Sequence, residues 1–303
     1  MAKHTYGAPP KTSGEAVKNS RKKINTSTII IIIIMILMLI GAAIFGIFAF
    51  NSHMETVEVV QLWDEVANIA EIAEPLSNTV SNTSSVVPDN NSSQIEEDVA
   101  LSTDPIDKEF DWDALLNINS DVMCWIYIPG TEINYPIMQE KVLGEYFYEL
   151  HDIYGNYLRA GSLFTPKQPD GYDGKDMHIL VLGHNMKNGT MFSSLRKYLD
   201  ETFYWERPYI YLYYPDKTEK WHVWATYRTY ADDMIYDIPY EKDSDAYKAL
   251  LDDIISKRDY VTNTVDPTTS DRILSLTTCD WFDAEQNGRF VVNAVIEEVK
   301  YKQ

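Results

Sequence analysis

The sequence is poor in cysteine and in basic side chains. Two of its 303 residues are cysteine, and 26 lysines and arginines stand against 46 aspartates and glutamates, for a formal net charge of −20. A nucleic-acid partner is not expected, because phosphate binding requires a surplus of basic residues. The 45% of hydrophobic residues and the 21 tyrosines nevertheless supply enough material for a β-rich core.

Several motifs of common site chemistries are also missing. The sequence has no Cys-x-x-Cys or His-x-x-x-His pair for a metal, no Gly-x-x-x-x-Gly-Lys-Ser/Thr loop for a nucleotide and no Gly-x-Ser-x-Gly nucleophile turn. We therefore expect no metal site and no cofactor.

Residues 1–50 predict a membrane anchor. Residues 1–28 form a basic tail with six lysines and arginines and one acid, and residues 29–50 are an unbroken run of 22 apolar residues. Such a run is long enough to span a bilayer as a helix. A cleaved signal peptide is the alternative, but residues 51–54 offer a poor cleavage site. The positive-inside rule then puts the N-terminus in the cytoplasm and all that follows outside the cell membrane.

Residues 51–105 predict a stalk outside the membrane. Apolar positions within 55–73 recur at roughly helical spacing, which favours a helix that either continues the span or stands alone. From about residue 75 to 105, Ser, Asn, Thr, Pro and acids dominate, which is typical of a flexible linker. A folded domain is predicted to comprise residues 106–303.

The predicted domain is mainly β. Short apolar or β-branched runs alternate with turn signals, a pattern typical of a barrel or sandwich. One clear amphipathic helix is predicted over 243–257, capped by Asp243 or Ser244, and a short helix over 111–117. The predicted strands are residues 125–128, 133–138, 178–182, 209–213, 221–230, 272–278 and 290–299.

Cys279 ends one predicted strand and Arg289 opens the next. If these strands pair as an antiparallel hairpin, opposed residues lie only about 5 Å apart and the two side chains share one rim. A nearby cation favours the reactive thiolate and can stabilise an oxyanion. The alternatives are a structural thiol and a surface arginine that pairs with the local acids Asp280, Asp283 and Glu285.

His184 follows another predicted strand, again at its end. Histidine suits proton donation to a leaving amine because its usual pKa lies near neutrality. His178, six residues earlier, is more typical of a core or rim histidine. Cys124 lies among apolar neighbours and is interpreted as a buried core residue, although a disulfide with Cys279 stays an alternative.

These residues together resemble the sortase family. Leu276-Thr277-Thr278-Cys279, with Arg289 ten residues on, is similar to the family's Thr-Leu-x-Thr-Cys signature and trailing arginine, although Ser275 replaces the first Thr. Gly183-His184-Asn185 is similar to its catalytic histidine strand. The helix inserted before the cysteine strand resembles class B best, and Thr277 falls where class B enzymes often carry Ser.

The resemblance implies a closed eight-stranded β-barrel with a few peripheral helices, preceded by one transmembrane helix. It also implies that Cys279 attacks a Thr carbonyl in the C-terminal sorting motif of a surface protein, and that His184 serves as acid and base. Arg289 would stabilise the oxyanion, and Thr277 would contact the substrate. The acyl group would pass to a peptidoglycan amine of a Gram-positive cell wall, or to a pilin lysine.

Other cysteine enzymes and a non-catalytic β-domain are the alternatives to a sortase. Papain-like hydrolases place Cys before His in the chain, and L,D-transpeptidases carry a His-Gly-Cys core, so neither agrees with this sequence. A membrane-tethered β-domain for adhesion or signalling would leave Cys279 without a role. The occurrence of Cys279, His184 and Arg289 at three predicted strand ends argues against that reading.

Overall fold

The computed structural model describes residues 25–71, 104–166, 177–260, 266–280 and 287–302. The chain forms two compact units, Met1–Glu55 and Thr56–Gln303. Most of the predicted basic tail and of the predicted linker, residues 1–24 and 72–103, lies outside the described residues. The helices are α1 (Thr26–Ala70), α2 (Trp112–Ile118), α3 (Glu201–Glu206) and α4 (Asp245–Lys257), with short 3-10 helices at Pro105–Asp107, Phe147–Glu149, Phe192–Leu199 and Met234–Tyr236.

The first unit contains the apolar part of α1. Within the described ranges, α1 is the one helix long and apolar enough to cross a membrane, with a mean hydropathy of 3.2 in its most apolar stretch. The large apolar side chains of that stretch are exposed in the unit itself. By length and composition the helix fits either a membrane span or a signal sequence.

The second unit begins with the C-terminal part of α1. Val59, Trp63, Val66 and Ala70 are buried, and their spacing of three or four residues places them on one helix face. The Trp63 ring lies edge-on to Tyr135, with 5.8 Å between ring centroids. Residues 56–70, which were predicted to belong to the stalk, thus pack on the β domain.

Eight strands form the predicted closed barrel, which is confirmed. Neighbouring strands follow the order β1-β2-β3-β4-β7-β8-β6-β5, and β5 pairs with β1 to close the ring. All pairs are antiparallel except β2 with β3 and β4 with β7, which are parallel. The strands are β1 (Val122–Tyr127), β2 (Asn134–Met138), β3 (Leu163–Phe164), β4 (His178–Leu182), β5 (Tyr209–Tyr213), β6 (Lys217–Tyr230), β7 (Ile273–Cys279) and β8 (Gly288–Tyr301).

The strands β4 and β7 and residues 290–294 of β8 are buried on both faces. In β7, Leu274 and Leu276 belong to the main core, while Ile273 belongs to a second cluster with α4. This two-sided burial explains the continuous apolar runs in the sequence, because successive side chains of a strand point to opposite faces. Ser244 caps α4 by accepting a hydrogen bond from the Tyr247 amide at 3.1 Å.

Candidate active site

The β7–β8 pair brings Cys279 and Arg289 together. The two residues are directly opposed in the antiparallel register, at the end of β7 and the beginning of β8. Both are half-buried, and the Cys279 thiol is free, as is that of the fully buried Cys124. Cys279 therefore lies at an open rim and Cys124 in the core, and the two do not form the disulfide that was the alternative.

His184 reaches the same rim through the parallel pairing of β4 with β7. That ladder ends at Leu182 opposite Thr277, and the Gly183 amide extends it by donating to the Thr277 carbonyl at 3.2 Å. Beyond this point two side chains continue the connection. The Thr278 hydroxyl donates to the Gly183 carbonyl, and the Asn185 amide donates to the Cys279 carbonyl, each at 2.8 Å.

The His184 imidazole contacts the main chain of the Phe147–Glu149 turn. Its Nε2 lies 2.9 Å from the Glu149 carbonyl oxygen. Because a carbonyl can only accept, Nε2 must donate and carries a hydrogen, which leaves Nδ1 as the ring nitrogen for proton transfer. This partner could not be predicted from the sequence, since a main-chain oxygen leaves no residue signature.

Asp280, the residue after Cys279, forms ion pairs with two arginines other than Arg289. Its side chain is buried and forms ion pairs with Arg196 and, at 2.8 Å, with Arg228. The Arg289 guanidinium instead donates to the Gly288 carbonyl at 2.9 Å. Among the described residues Arg289 pairs with no carboxylate.

Asp283 and Glu285, the other acids considered as partners of Arg289, lie outside the described residues. The alternative that Arg289 is a surface arginine paired with Asp280 does not agree with the Asp280 ion pairs.

An open groove connects the three strand ends. It has a volume of about 400 Å³, its mouth included. Its walls combine apolar surface with the polar groups described above, as expected of a site that binds a peptide. The lining residues are Glu149, Phe164, Leu182, Gly183, His184, Tyr236, Thr277, Thr278, Cys279 and Arg289.

Thr277 lines this groove, but its hydroxyl is already engaged. It lies 2.9 Å from the Tyr236 hydroxyl, and Thr277 is only 2% exposed. Burial raises the pKa of Tyr236, which keeps the phenol neutral and able to donate. Tyr236 was not found from the sequence, because it comes from a short 3-10 helix 41 residues before Thr277.

Comparison with known proteins decides the family. The model of the sortase domain matches residues 126–297, which is more than half of the chain. The chain belongs to the sortase family. Sortases are cysteine transpeptidases, so the chain is an enzyme of this kind.

Class B sortases are among the proteins similar to this chain. Sortase B of Listeria monocytogenes is 34% identical over 180 residues, which are 59% of this chain and 70% of the relative. The crystal structure of Clostridium perfringens sortase B superposes with a TM-score of 0.56 at 30% identity, over 61% of this chain and 99% of that one. A sortase B–substrate complex from Staphylococcus aureus has a TM-score of 0.53 at 28% identity, over 61% of this chain and 84% of that one.

Proposed function

We propose that this sortase uses Cys279 as nucleophile, His184 as acid and base, and Arg289 as the cation that stabilises the transition state. The observation that carries the proposal is the meeting of three strand ends at one groove, with Cys279 and Arg289 in direct register. A structural thiol would need neither an opposed arginine nor a histidine at the same rim.

The reaction is a pair of acyl transfers. The Cys279 thiolate attacks the carbonyl of a threonine in the sorting motif, and the peptide C–N bond breaks as His184 gives a proton to the leaving amine. The product is a thioester on Cys279. An incoming amine then attacks this thioester, His184 takes its proton, and the thiolate leaves as the new amide bond forms.

Arg289 is suited to the oxyanion of each tetrahedral intermediate. Its guanidinium is charged at any working pH, and Asp280, the residue after Cys279, is already paired with Arg196 and Arg228. Thr277 contributes to the substrate-facing wall through its hydroxyl, which Tyr236 holds in place.

The substrates follow from the family and from the anchor. We infer a surface protein with a C-terminal sorting motif as acyl donor, and an amine of peptidoglycan or a pilin lysine as acceptor. The apolar part of α1 supports a retained membrane span, with residues 1–28 in the cytoplasm and the catalytic domain outside. This arrangement places the enzyme beside proteins that emerge from the same membrane.

The test uses the full chain in detergent micelles with quenched peptides that end in Thr-Asn or Thr-Gly motifs. Cleavage is followed by fluorescence, and the acyl adduct is trapped and weighed by intact mass. We expect a peptide-dependent adduct on the wild type and none on Cys279→Ala. An adduct on Cys279→Ala, or cleavage by that variant, would show that another residue is the nucleophile.

A further inference from the structure

The orienting partner of His184 is a main-chain oxygen. In serine and cysteine enzymes the catalytic histidine is commonly held by a side-chain carboxylate or amide on its second nitrogen. Here the Glu149 carbonyl takes that place, 2.9 Å from Nε2. The position of one peptide plane therefore fixes both the tautomer and the orientation of the ring.

Gly161 lies directly against this peptide plane. It has a φ of +56°, and a side-chain carbon added at Gly161 would lie 2.7 Å from the Glu149 carbonyl carbon and still closer to its oxygen. The same carbon would also lie 2.7 Å from the Tyr148 carbonyl oxygen. Such approaches are far inside normal contact distance, so any other residue at 161 must displace the backbone of the Glu149 turn.

Hydrogen bonds hold the two segments at this spacing. The Ser162 amide donates to the Tyr148 carbonyl at 2.9 Å, and the Gly161 amide donates to the Leu158 carbonyl at 2.9 Å. The Leu158 amide in turn donates to the Leu150 carbonyl at 2.9 Å. The chain thus returns beneath the Glu149 turn on both sides of Gly161, so the two segments cannot separate as a whole and an added side chain displaces the Glu149 carbonyl locally.

We propose that Gly161 is a positioning residue, which acts on His184 by allowing the Glu149 carbonyl to hold Nε2–H. The proposal rests on the proposed acid and base role of His184. It predicts that a methyl group at 161 moves the carbonyl, frees the ring and lets the hydrogen redistribute between Nε2 and Nδ1.

Gly155 provides a matched control in the same segment. Its φ is +78°, so an alanine there suffers the same kind of left-handed backbone strain. An added carbon at Gly155, however, meets no atom within 4 Å. Gly155→Ala therefore reports the cost of the strain alone, and Gly161→Ala reports the strain together with the displaced carbonyl.

The experiment records ¹H–¹⁵N correlations of ¹⁵N-histidine in the full chain in detergent micelles. At about pH 8.5 imidazoles are neutral, since their usual pKa is about 6.5, and the spectrum shows which ring nitrogen carries the hydrogen. The chain has six histidines, and the signal of His184 is identified as the one that disappears in His184→Gln. We expect Nε2–H for His184 in the wild type and in Gly155→Ala, and mixed tautomers in Gly161→Ala.

Acyl-enzyme formation is measured beside the spectra. We expect Gly161→Ala to lower the rate at saturating peptide by about 10-fold or more, as part of the 10²–10⁴-fold effect of a positioned acid and base. Gly155→Ala should stay within about 2-fold of the wild type. Equal losses in both variants with an unchanged His184 tautomer would overturn the proposal.

The wild-type spectrum is decisive by itself. A His184 hydrogen on Nδ1 overturns the proposal even if Gly161→Ala does not fold, and a hydrogen on Nε2 supports it. If the wild type shows Nε2–H but forms no acyl adduct, the proposed catalytic role of His184 fails while the contact with Glu149 stands.

Discussion

The histidines at the two ends of β4 have the same tautomer but opposite surroundings. His178 is fully buried, with Nε2 at 2.8 Å from the Ser275 hydroxyl, which itself donates to Asn293 at 2.6 Å. Ser275 thus accepts from Nε2–H of His178, as the Glu149 carbonyl accepts from His184. Burial lowers the pKa of His178 to about 3, whereas His184 opens onto the groove.

This difference argues against proton transfer by His178 and agrees with the role proposed for His184. A proton-transfer group must gain and lose charge near neutral pH, and His178 is neutral throughout that range. The Tyr240 ring, 5.7 Å away between centroids, and the cluster under α4 cover the His178 end of the strands. Access to solvent, more than residue type, therefore distinguishes the buried His178 from the proposed catalytic His184.

Replacement of each histidine by alanine tests this separation most strongly. We expect His184→Ala to lose about 10²–10⁴-fold in peptide turnover, the usual contribution of a general acid and base, with little change in stability. His178→Ala should instead lose about 2–5 kcal/mol of stability, as for other large buried side chains. Turnover with quenched peptides and denaturant unfolding followed by tryptophan fluorescence measure the two effects. The reverse pattern would contradict the comparison.

Arg289 and Arg228, which lie near Cys279 and Asp280, can be compared in the same way. We expect Arg289→Lys to lose about 10²-fold in turnover, because an ammonium cannot replace the planar guanidinium at an oxyanion. Arg228→Lys, at the same rim, should keep turnover but lose about 1–3 kcal/mol of stability, since it weakens a charged hydrogen bond to the buried Asp280. Near-wild-type turnover by Arg289→Lys would show that positive charge alone suffices.

The low pKa of His178 predicts a pH dependence of stability. Below the unfolded pKa of about 6.5 the unfolded chain binds a proton that the folded chain does not bind until about pH 3, so stability falls as the pH falls through this window. At 1.36 kcal/mol per unit, the loss between pH 6.5 and 5 is up to about 2 kcal/mol. His178→Gln should remove this component, and the slope difference between wild type and variant in denaturant unfolding measures it. Parallel slopes would mean that His178 is not neutral when folded.

The smallest expected effect concerns Thr277. We expect Thr277→Val, which removes only the hydroxyl, to raise KM for the peptide by a few-fold, corresponding to about 1 kcal/mol for a neutral hydrogen bond. Tyr236→Phe is the matched variant, because it removes the other half of the same contact. If KM and kcat are unchanged in both variants, the Thr277–Tyr236 pair has no part in substrate binding.

The sequence was informative where the signal is local. The turn after Cys279 and the strand that follows predicted the opposed arginine, and the apolar stripe of α4 predicted a helix that covers the barrel. The short β3, Leu163–Phe164, was not predicted as a strand because two residues carry no periodicity. The first residues of β6, from Lys217, were missed because their polar side chains hide the alternation.

The supporting contacts of the site could not be predicted, for a different reason. Asp280 meets Arg196 and Arg228 across 84 and 52 residues of sequence, and His184 meets the Glu149 carbonyl across 35. No local pattern reports such pairs, because they depend on how the barrel closes. The candidate catalytic side chains could thus be predicted from their positions at strand ends, while the groups that hold them in place could not.

The parallel pairing of β4 with β7 also affects the stage of folding at which the candidate site is assembled. The contact between Asn185 and Cys279 joins residues 94 positions apart, and the arginine opposite the thiol comes from the last strand. Contacts of this range form late in folding, because the intervening chain must be ordered first. In a chain that has not yet completed its barrel, Cys279 lies apart from His184 and Arg289, so the arrangement that the proposed reaction requires forms only when the barrel closes.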